Sequence, residues 1–304
     1  MKVWLPMPDA VQRMGGLPEG LDVDVYDGEG ELPDSAEEVE FYVPPYLAGG
    51  HVYELVRDLP SLKVVQTLTA GVDNIRPHVP PHVTLCNARG VHDASTAELT
   101  VLLMLASLRG LPGFVRAQEQ AQWASGRFSS LADKTVLIIG HGSIGAALER
   151  RLDGFEVAEV LRVARRARDG VAALADLPDL LPRADVVVLL VPMTEQTRGL
   201  ADAAFLARMK DGALLVNVAR GPVVDTGALV AEVRTGRLRA ALDVTDPEPL
   251  PPDSPLWSQP GVLISPHVGG NSDAFVPRAL RLVREQLDRY AAGRPLANVV
   301  AGDY

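Results

Sequence analysis

Three polar residues in the second half of the chain carry groups able to do chemistry. The stretch "LLVNVARGPVVDTGALV" places Arg220 just after an apolar, strand-like run, with Gly221 and Pro222 forcing a turn behind it. "ALDVTDPEPLP" puts Asp243 at the end of another such run and Glu248 in a proline-rich loop. "LISPHVGGNSDA" puts His267 after a third, ahead of Gly269 and Gly270. Each has a bland explanation: a turn cap for Arg220, a surface acid for Glu248, a core histidine for His267. Together they are a fixed cation, a carboxylate and an imidazole, which are the parts of a proton-transferring site. All three follow strand candidates, and in an open α/β sheet the carboxyl edge is where ligands bind.

A second constellation lies upstream, in "VLIIGHGSIGAALERRLDGFEVAEVLRVARRAR", Val136 to Arg168. An apolar strand runs into Gly140-His141-Gly142-Ser143-Ile144-Gly145, and a helical stretch follows. Gly140 permits a tight turn, Gly142 lets the backbone approach a pyrophosphate, and Gly145 lets helix and strand pack closely. The helix N-terminus then offers free N–H groups and a positive dipole end. Glycines of this kind also make plain turns. The strand before, the helix after and the second strand beyond point instead to dinucleotide binding. Such units place an acid about twenty residues further on, against the ribose 2′-hydroxyl. Here the second strand ends in Val163-Ala164-Arg165-Arg166. A carboxylate repels a 2′-phosphate, whereas a planar guanidinium grips one with two hydrogen bonds. Arg165, then Arg166, then Arg168 are the candidates, and they predict NADP(H) in preference to NAD(H), which stays possible. The competing reading is a solvated arginine pair beyond the strand end.

The elements that must position these residues follow a βαβ rhythm, which implies parallel sheets. In the first part the strand candidates are "KVWLP", "EVEFYVP", "LKVVQTLT" and "VTLCNA", with "HVYELVRDLP" as a crossover helix. Ser95 to Trp123 reads as a long buried helix, with Ser95 as N-cap, Glu98 completing a capping box, and the Gly110–Gly113 region interrupting or ending it. "ASGRFSSLADK" reads as a loop. From Thr135 six further strands are predicted: "TVLIIG", "EVLRVA", "ADVVVLLVP", "ALLVNVA", "RAALDV" and "GVLISP". Short apolar runs of this kind suit strands buried on both faces. "AFVPRALRLVREQLDRYAAG" is amphipathic and helical.

The 304 residues are enough for two domains, and 47% hydrophobic with 22% charged is a globular composition. A net charge of −10 argues against nucleic acid as a partner, though not against a small anion met by a few local arginines. Cys86 is the single cysteine, so there is no internal disulfide and no cysteine-based metal site, and no metal is expected. The start, "MKVWLPMPDA", has too short an apolar run for a signal peptide, and no stretch approaches a membrane span. The expectation is a soluble, cytoplasmic protein with no membrane partner.

The chain resembles the D-isomer-specific 2-hydroxyacid dehydrogenase family. The resemblance rests on "GHGSIG", "VPMTEQTRGL", "NVARGPVVD", "ALDVTDPEPL" and "SPHVGG" in family order, with weaker matches in "TLTAGVDNI" and "NARGVHDASTAELTVLLMLA". It covers about Leu68 to Gly270; the first fifty residues match only in strand pattern. It implies two α/β domains: a Rossmann-type doubly wound cofactor domain over 96–270, and a smaller flavodoxin-like substrate domain over 1–95 completed by 271–304. It implies that Arg220 binds the substrate carboxylate and carbonyl oxygen, that His267 is the acid–base, and that Glu248 hydrogen-bonds to it. Ala70 and Gly71 resemble a second, main-chain grip on the carboxylate. Asp243 resembles the residue near the nicotinamide carboxamide. Thr96, Val191, Pro192, Thr197, Val218, His267 and Gly269 join the loop residues Gly140, His141, Gly142, Ser143 and Ile144 as implied cofactor contacts.

The chemistry agrees with that assignment. Reducing a 2-keto acid puts negative charge on the carbonyl oxygen as hydride arrives, and a proton donor and a fixed cation stabilise that charge. Two features narrow the reading. The ribose acid is missing, and position 70 is alanine, where phosphite-oxidising relatives carry lysine. "RVARRAR" resembles NADPH-using glyoxylate and hydroxypyruvate reductases. The expectation is therefore an NADPH-dependent reductase of a small anionic 2-keto acid, working as a homodimer, with the loop Val43–Leu47 selecting the substrate. The alternatives are an NAD-linked dehydrogenase of a larger acid of the phosphoglycerate type and a dinucleotide-sensing, corepressor-like binding protein.

Overall fold

The computed structural model describes residues 1–302, which divide into two compact units. One is Met1–His92 together with the chain from Asp273 on; the other is Asp93–Ser272.

The first unit is a five-stranded parallel sheet: β1 (Lys2–Leu5), β2 (Asp22–Val25), β3 (Val39–Tyr42), β4 (Val64–Gln66) and β5 (Thr84–Cys86), in the order β2-β1-β3-β4-β5. That is the flavodoxin-like winding. Residues alternate between faces along each strand. Val3, Leu5, Phe41 and Val64 pack on Phe275, Ala279, Leu280, Val283 and Leu287 of the Phe275–Ala291 helix. Trp4, Tyr42, Val65 and Leu85 pack on the opposite side with Val52, Val56 and Leu59. The sequence reading missed β2. Its D-V-D-V pattern lies on the sheet's outer edge with no residue fully buried, so the apolar run that marks the other strands is absent.

The second unit is a seven-stranded sheet: β6 (Thr135–Ile139), β7 (Glu159–Ala164), β8 (Ala172–Ala173), β9 (Val186–Leu189), β10 (Leu214–Asn217), β11 (Arg239–Leu242) and β12 (Val262–Ile264). All pairings are parallel, in the order β12-β11-β10-β9-β6-β7-β8. The chain starts in the middle of the sheet at β6, winds outward to β8, then returns to β9 and winds the other way. This is the doubly wound arrangement, whose switch point between β6 and β9 opens a crevice at the strands' carboxyl ends. The two-residue β8 is too short to leave a pattern in the sequence.

Strand alternation also explains why this sheet is buried on both faces. Leu137, Ile139, Val187, Leu189 and Leu215 point to one side, against Leu177, Leu181, Phe205, Leu206 and Leu229. Val136, Ile138, Val186, Val188, Leu214 and Val216 point to the other, against Leu103, Met104, Leu108, Ala147, Leu148 and Leu152. The long helix expected from Ser95 is two helices, Asp93–Arg109 and Leu111–Glu119, bent by 66° at Gly110. The first begins two residues before the expected cap. Ser95 lies inside its first turn, and its hydroxyl meets Ser272 Oγ at 2.6 Å. No single helix among the described residues is long and apolar enough to cross a membrane.

Candidate functional site

His267 follows β12 by three residues and adopts φ +52°, a left-handed conformation that costs a non-glycine residue of order 1–3 kcal/mol unless its surroundings hold it. Asp243, immediately after β11, is what holds it. Its carbonyl accepts the His267 N–H at 2.8 Å. Its carboxylate accepts from Ser265 Oγ at 2.6 Å, from the Val268 N–H at 3.0 Å and from the Gly269 N–H at 2.8 Å. Asp243 is 3% exposed, so these donors take the place of water around its charge. On the far side of the turn, the Thr96 hydroxyl donates to the Gly269 carbonyl at 3.2 Å. The imidazole Nδ1 is hydrogen-bonded to Glu248 Oε1, and both side chains are more than a third exposed.

Arg220 stands on the turn after β10. Asn217, the one polar residue of that strand, shapes the turn from within. It donates from Nδ2 to the Arg220 carbonyl at 2.9 Å and accepts the Ala219 N–H at 3.1 Å. Gly221 is required by close approach, because a Cβ there would overlap the backbone carbonyl of Thr245, in the loop leading to Glu248. The turns after β10, β11 and β12, neighbouring strands, thus bring Arg220, Glu248 and His267 to one edge of one sheet.

The glycine loop follows β6 on the same edge. Gly140 has φ +103°, and a Cβ on it would meet the backbone of Leu190 and Val191 at 2.5–2.6 Å. The Val163 carbonyl at the end of β7 accepts both the Gly140 N–H at 2.8 Å and the His141 N–H at 2.9 Å. A Cβ on Gly145 would lie 2.8 Å from the Gly140 carbonyl, so the Ser143–Leu152 helix sits hard against the loop. Gly142, by contrast, faces open space, and no side chain caps the helix behind it. An open backbone cradle at an uncapped helix N-terminus fits a pyrophosphate. Ser143 Oγ donates to Asp93 Oδ1 at 3.1 Å, which ties the helix start to the Asp93–Arg109 helix; Ile144 is half-buried.

Arg165 and Arg166 are exposed directly beyond β7. Arg168 comes nearer the glycine loop than its place in the sequence suggests. It sits at the root of a tight turn closed by reciprocal Arg168–Val171 main-chain bonds of 2.8 and 2.9 Å, and its guanidinium donates to the His141 carbonyl at 2.5 Å. The His141 ring meets Glu149 through Nε2 at 2.6 Å, and Glu149 also receives Arg162. The Arg162 guanidinium, with His141 adding to it, holds the Glu149 carboxyl below the usual carboxylate range. The sequence reading did not connect Glu149, Arg162 and His141, because they come from a helix, a strand and a loop. Asn217 was visible as a lone polar residue inside "LLVNVA", but nothing local tells what it bonds.

The remaining expected contacts of this unit fall on this edge too. Val191 and Val218 are buried just past β9 and β10. The Thr197 hydroxyl donates to the Pro192 carbonyl at 2.6 Å and accepts the Thr194 N–H at 2.9 Å, so it folds the turn after β9. Ala70 and Gly71 belong to the first unit, past the carboxyl end of β4. There the carbonyls of Thr69, Ala70 and Gly71 accept from Thr67 (2.8 Å), Asn87 (3.0 Å) and Thr69 (2.7 Å) side chains, which fixes the loop's peptide planes.

Comparison with known proteins gives this geometry a lineage. Residues 101–269 match the model of the D-isomer specific 2-hydroxyacid dehydrogenase NAD binding domain. The chain is 32% identical over 257 residues to a D-3-phosphoglycerate dehydrogenase of Archaeoglobus fulgidus, with 81% of this chain and 49% of that protein covered. It thus spans about half the length of the archaeal phosphoglycerate dehydrogenases it matches. It is 31% identical over 295 residues to the human glyoxylate reductase/hydroxypyruvate reductase, covering 88% of each. A D-isomer specific 2-hydroxyacid dehydrogenase from Xanthobacter autotrophicus Py2, solved with NADPH and MES, superposes with a TM-score of 0.81 at 32% identity, over 99% of this chain and 97% of that one. The glycine loop, the winding of both sheets and the matched stretch agree: the chain belongs to the D-isomer specific 2-hydroxyacid dehydrogenase family.

Proposed function

We propose that this chain reduces small 2-keto acids to D-2-hydroxy acids with NADPH, glyoxylate and hydroxypyruvate being the substrates of choice. The observation that carries the reading is the His267–Glu248 pair, set on a strained turn clasped by Asp243, two strands from Arg220. The reaction takes a hydride and a proton: keto acid, NADPH and H⁺ give hydroxy acid and NADP⁺. The bound nicotinamide supplies the hydride. Arg220 supplies positive charge to the carboxylate and carbonyl oxygen, and the Ala70–Gly71 main chain supplies a second grip on the carboxylate. With His267 Nδ1–H donated to Glu248, Nε2 is the nitrogen left to pass a proton to the carbonyl oxygen as charge builds there. Glu248 balances the charge of the protonated ring.

Gly140 to Ile144 hold the pyrophosphate, and Thr96, Val191, Pro192, Thr197, Val218, Asp243 and Gly269 border the rest of the cofactor. Arg165 and Arg166 face its 2′-phosphate, and Arg168, docked on the glycine loop, adds a third guanidinium. The solved relative that holds NADPH supports this preference. The working form is a homodimer, checked by sedimentation velocity.

The test is absorbance at 340 nm with NADPH or NADH and a panel of 2-keto acids. Turnover of glyoxylate and hydroxypyruvate with NADPH preferred is the expected result. Tight NADPH binding with no turnover of any acid would make the chain a dinucleotide sensor instead.

A further inference from the structure

We infer that Tyr46 is the residue that limits substrate size, standing as a fixed aromatic wall beside the carboxylate-gripping loop. The inference rests on the function proposed above. β3 and β4 are hydrogen-bonded neighbours, with Tyr42 opposite Val65. The segments that leave their carboxyl ends, Val43–Leu47 and Leu68–Gly71, therefore start side by side, one strand spacing of about 4.8 Å apart.

Four contacts connect Tyr46 to the gripping loop and immobilise it. Its ring lies 4.2 Å from that of Phe275. It also stacks on His92, with centroids 5.6 Å apart and planes at 25°. His92 in turn stacks on Phe275 at 5.2 Å and donates from Nε2 to the Leu68 carbonyl at 2.8 Å, two residues before Ala70. His92 is 5% and Phe275 7% exposed, so the bracing rings are themselves locked in the core. Pro44 and Pro45 precede Tyr46 and fix their own φ angles, which stiffens the backbone that carries the ring. The residue that anchors the gripping loop is thus the residue against which Tyr46 leans.

A 2-keto acid held by its carboxylate at Ala70–Gly71 carries its C3 substituent only two bonds from that carboxylate. A rigid ring on the neighbouring segment limits the space open to that substituent, which favours hydrogen, methyl or hydroxymethyl over branched or aromatic groups. The substrate class is accordingly the short 2-keto acids, and the selection is steric.

The experiment compares kcat/KM for glyoxylate, hydroxypyruvate, 2-ketoisovalerate and phenylpyruvate in wild type, Tyr46→Phe, Tyr46→Ala and Phe275→Ala, with unfolding midpoints measured alongside. Tyr46→Ala is expected to raise the phenylpyruvate-to-hydroxypyruvate ratio of kcat/KM at least tenfold. Tyr46→Phe, which keeps the ring, should leave that ratio within twofold. Phe275→Ala, which keeps the ring but removes its brace along with a core contact, should move it in the same direction as Tyr46→Ala by a smaller factor. A merely structural role for Tyr46 would lower all four substrates together. An unchanged or lower ratio in Tyr46→Ala, the latter meaning that the ring attracts aromatic substrates, overturns the inference while the proposed reaction stands. A wild-type protein that turns over none of the acids overturns the proposed reaction, and the inference with it.

Discussion

Replacing Asp243 by asparagine tests whether the acid–base histidine depends on its clasp. The substitution keeps size and shape and changes only charge and hydrogen-bonding pattern. In the native protein one carboxylate accepts the Val268 N–H on Oδ1 and the Gly269 N–H on Oδ2, with Ser265 also on Oδ1. An amide has one oxygen, so it can accept one of the two main-chain donors. Its NH₂ group then faces the other donor, and that buried N–H is left without a partner. The loss is one hydrogen bond to a charged group, about 1.5–3 kcal/mol, plus an unsatisfied buried donor at about 1–3 kcal/mol. Part of this is relieved as the turn shifts, leaving an expected destabilisation on the order of 2–5 kcal/mol. The shift matters more for function. His267 is held at φ +52° by its N–H bond to the Asp243 carbonyl and by these flanking bonds, and relaxing the turn moves the ring. A misplacement of about 1 Å costs roughly 10²-fold in rate. The assays are urea unfolding and kcat with hydroxypyruvate, with NADPH affinity measured separately by fluorescence. A variant with stability within about 0.5 kcal/mol of wild type and kcat within twofold would refute the argument that Asp243 builds the turn.

Four further outcomes follow from the same geometry. His267→Ala should lower turnover by roughly 10²–10⁴-fold with NADPH binding nearly intact; retained turnover removes His267 from the chemistry. Arg220→Lys keeps the charge but loses the planar two-pronged geometry, so kcat/KM for keto acids should fall steeply, and a drop of no more than twofold would make Arg220 a turn residue only. Losing one charge-assisted bond to phosphate should weaken NADPH by roughly ten- to a hundred-fold in Arg165→Ala, with NADH hardly changed, and calorimetry with 2′,5′-ADP against 5′-AMP reads this without turnover. Because Arg162 holds the Glu149 carboxyl below its ordinary range, the stability from that pair is full above the unfolded carboxylate value of about 4.3 and is lost as pH falls through the lowered folded value. The urea midpoint deficit of Glu149→Gln should therefore be largest near neutrality and shrink below about pH 4; a deficit constant from pH 7 to pH 3 would contradict it.

How much of the fold was legible depended on where burial falls. Strands β6, β9 and β10 are covered on both faces, so they read as unbroken Val, Leu and Ile runs and were found with their order in the chain. β2 is an edge strand whose alternate residues are aspartates, and β8 is held to β7 by two residue pairs, so neither buries enough apolar surface to mark the sequence. The Asp93–Arg109 helix was found, but its start was misplaced. Ser95-x-x-Glu98 has the residues of a capping box, yet Asp93 opens the helix and bonds across to Ser143. Local capping chemistry lost to a tertiary contact that no window of sequence contains.

The site divides along the same line. Residues that would touch ligands announce themselves: Arg220, Glu248 and His267 are polar groups at the ends of apolar runs, and Gly140 and Gly142 break a strand-to-helix passage. Residues that hold them in place do not, because each acts across the sheet edge on a partner far away in sequence. Asn217 folds the turn under Arg220, Asp243, legible as a strand-end acid but not as a clasp, closes over a loop 22 to 26 residues downstream, and Glu149 gathers a loop histidine and a strand arginine. The consequence is specific to the arginines after β7. Their number was plain, but not what each one meets: the guanidinium of the third, Arg168, docks on the glycine loop, because the turn closed by its bonds to Val171 carries it back toward His141. A reading of charge alone ranks them by distance from the strand end. The turn that carries Arg168 to the glycine loop lies outside such a reading.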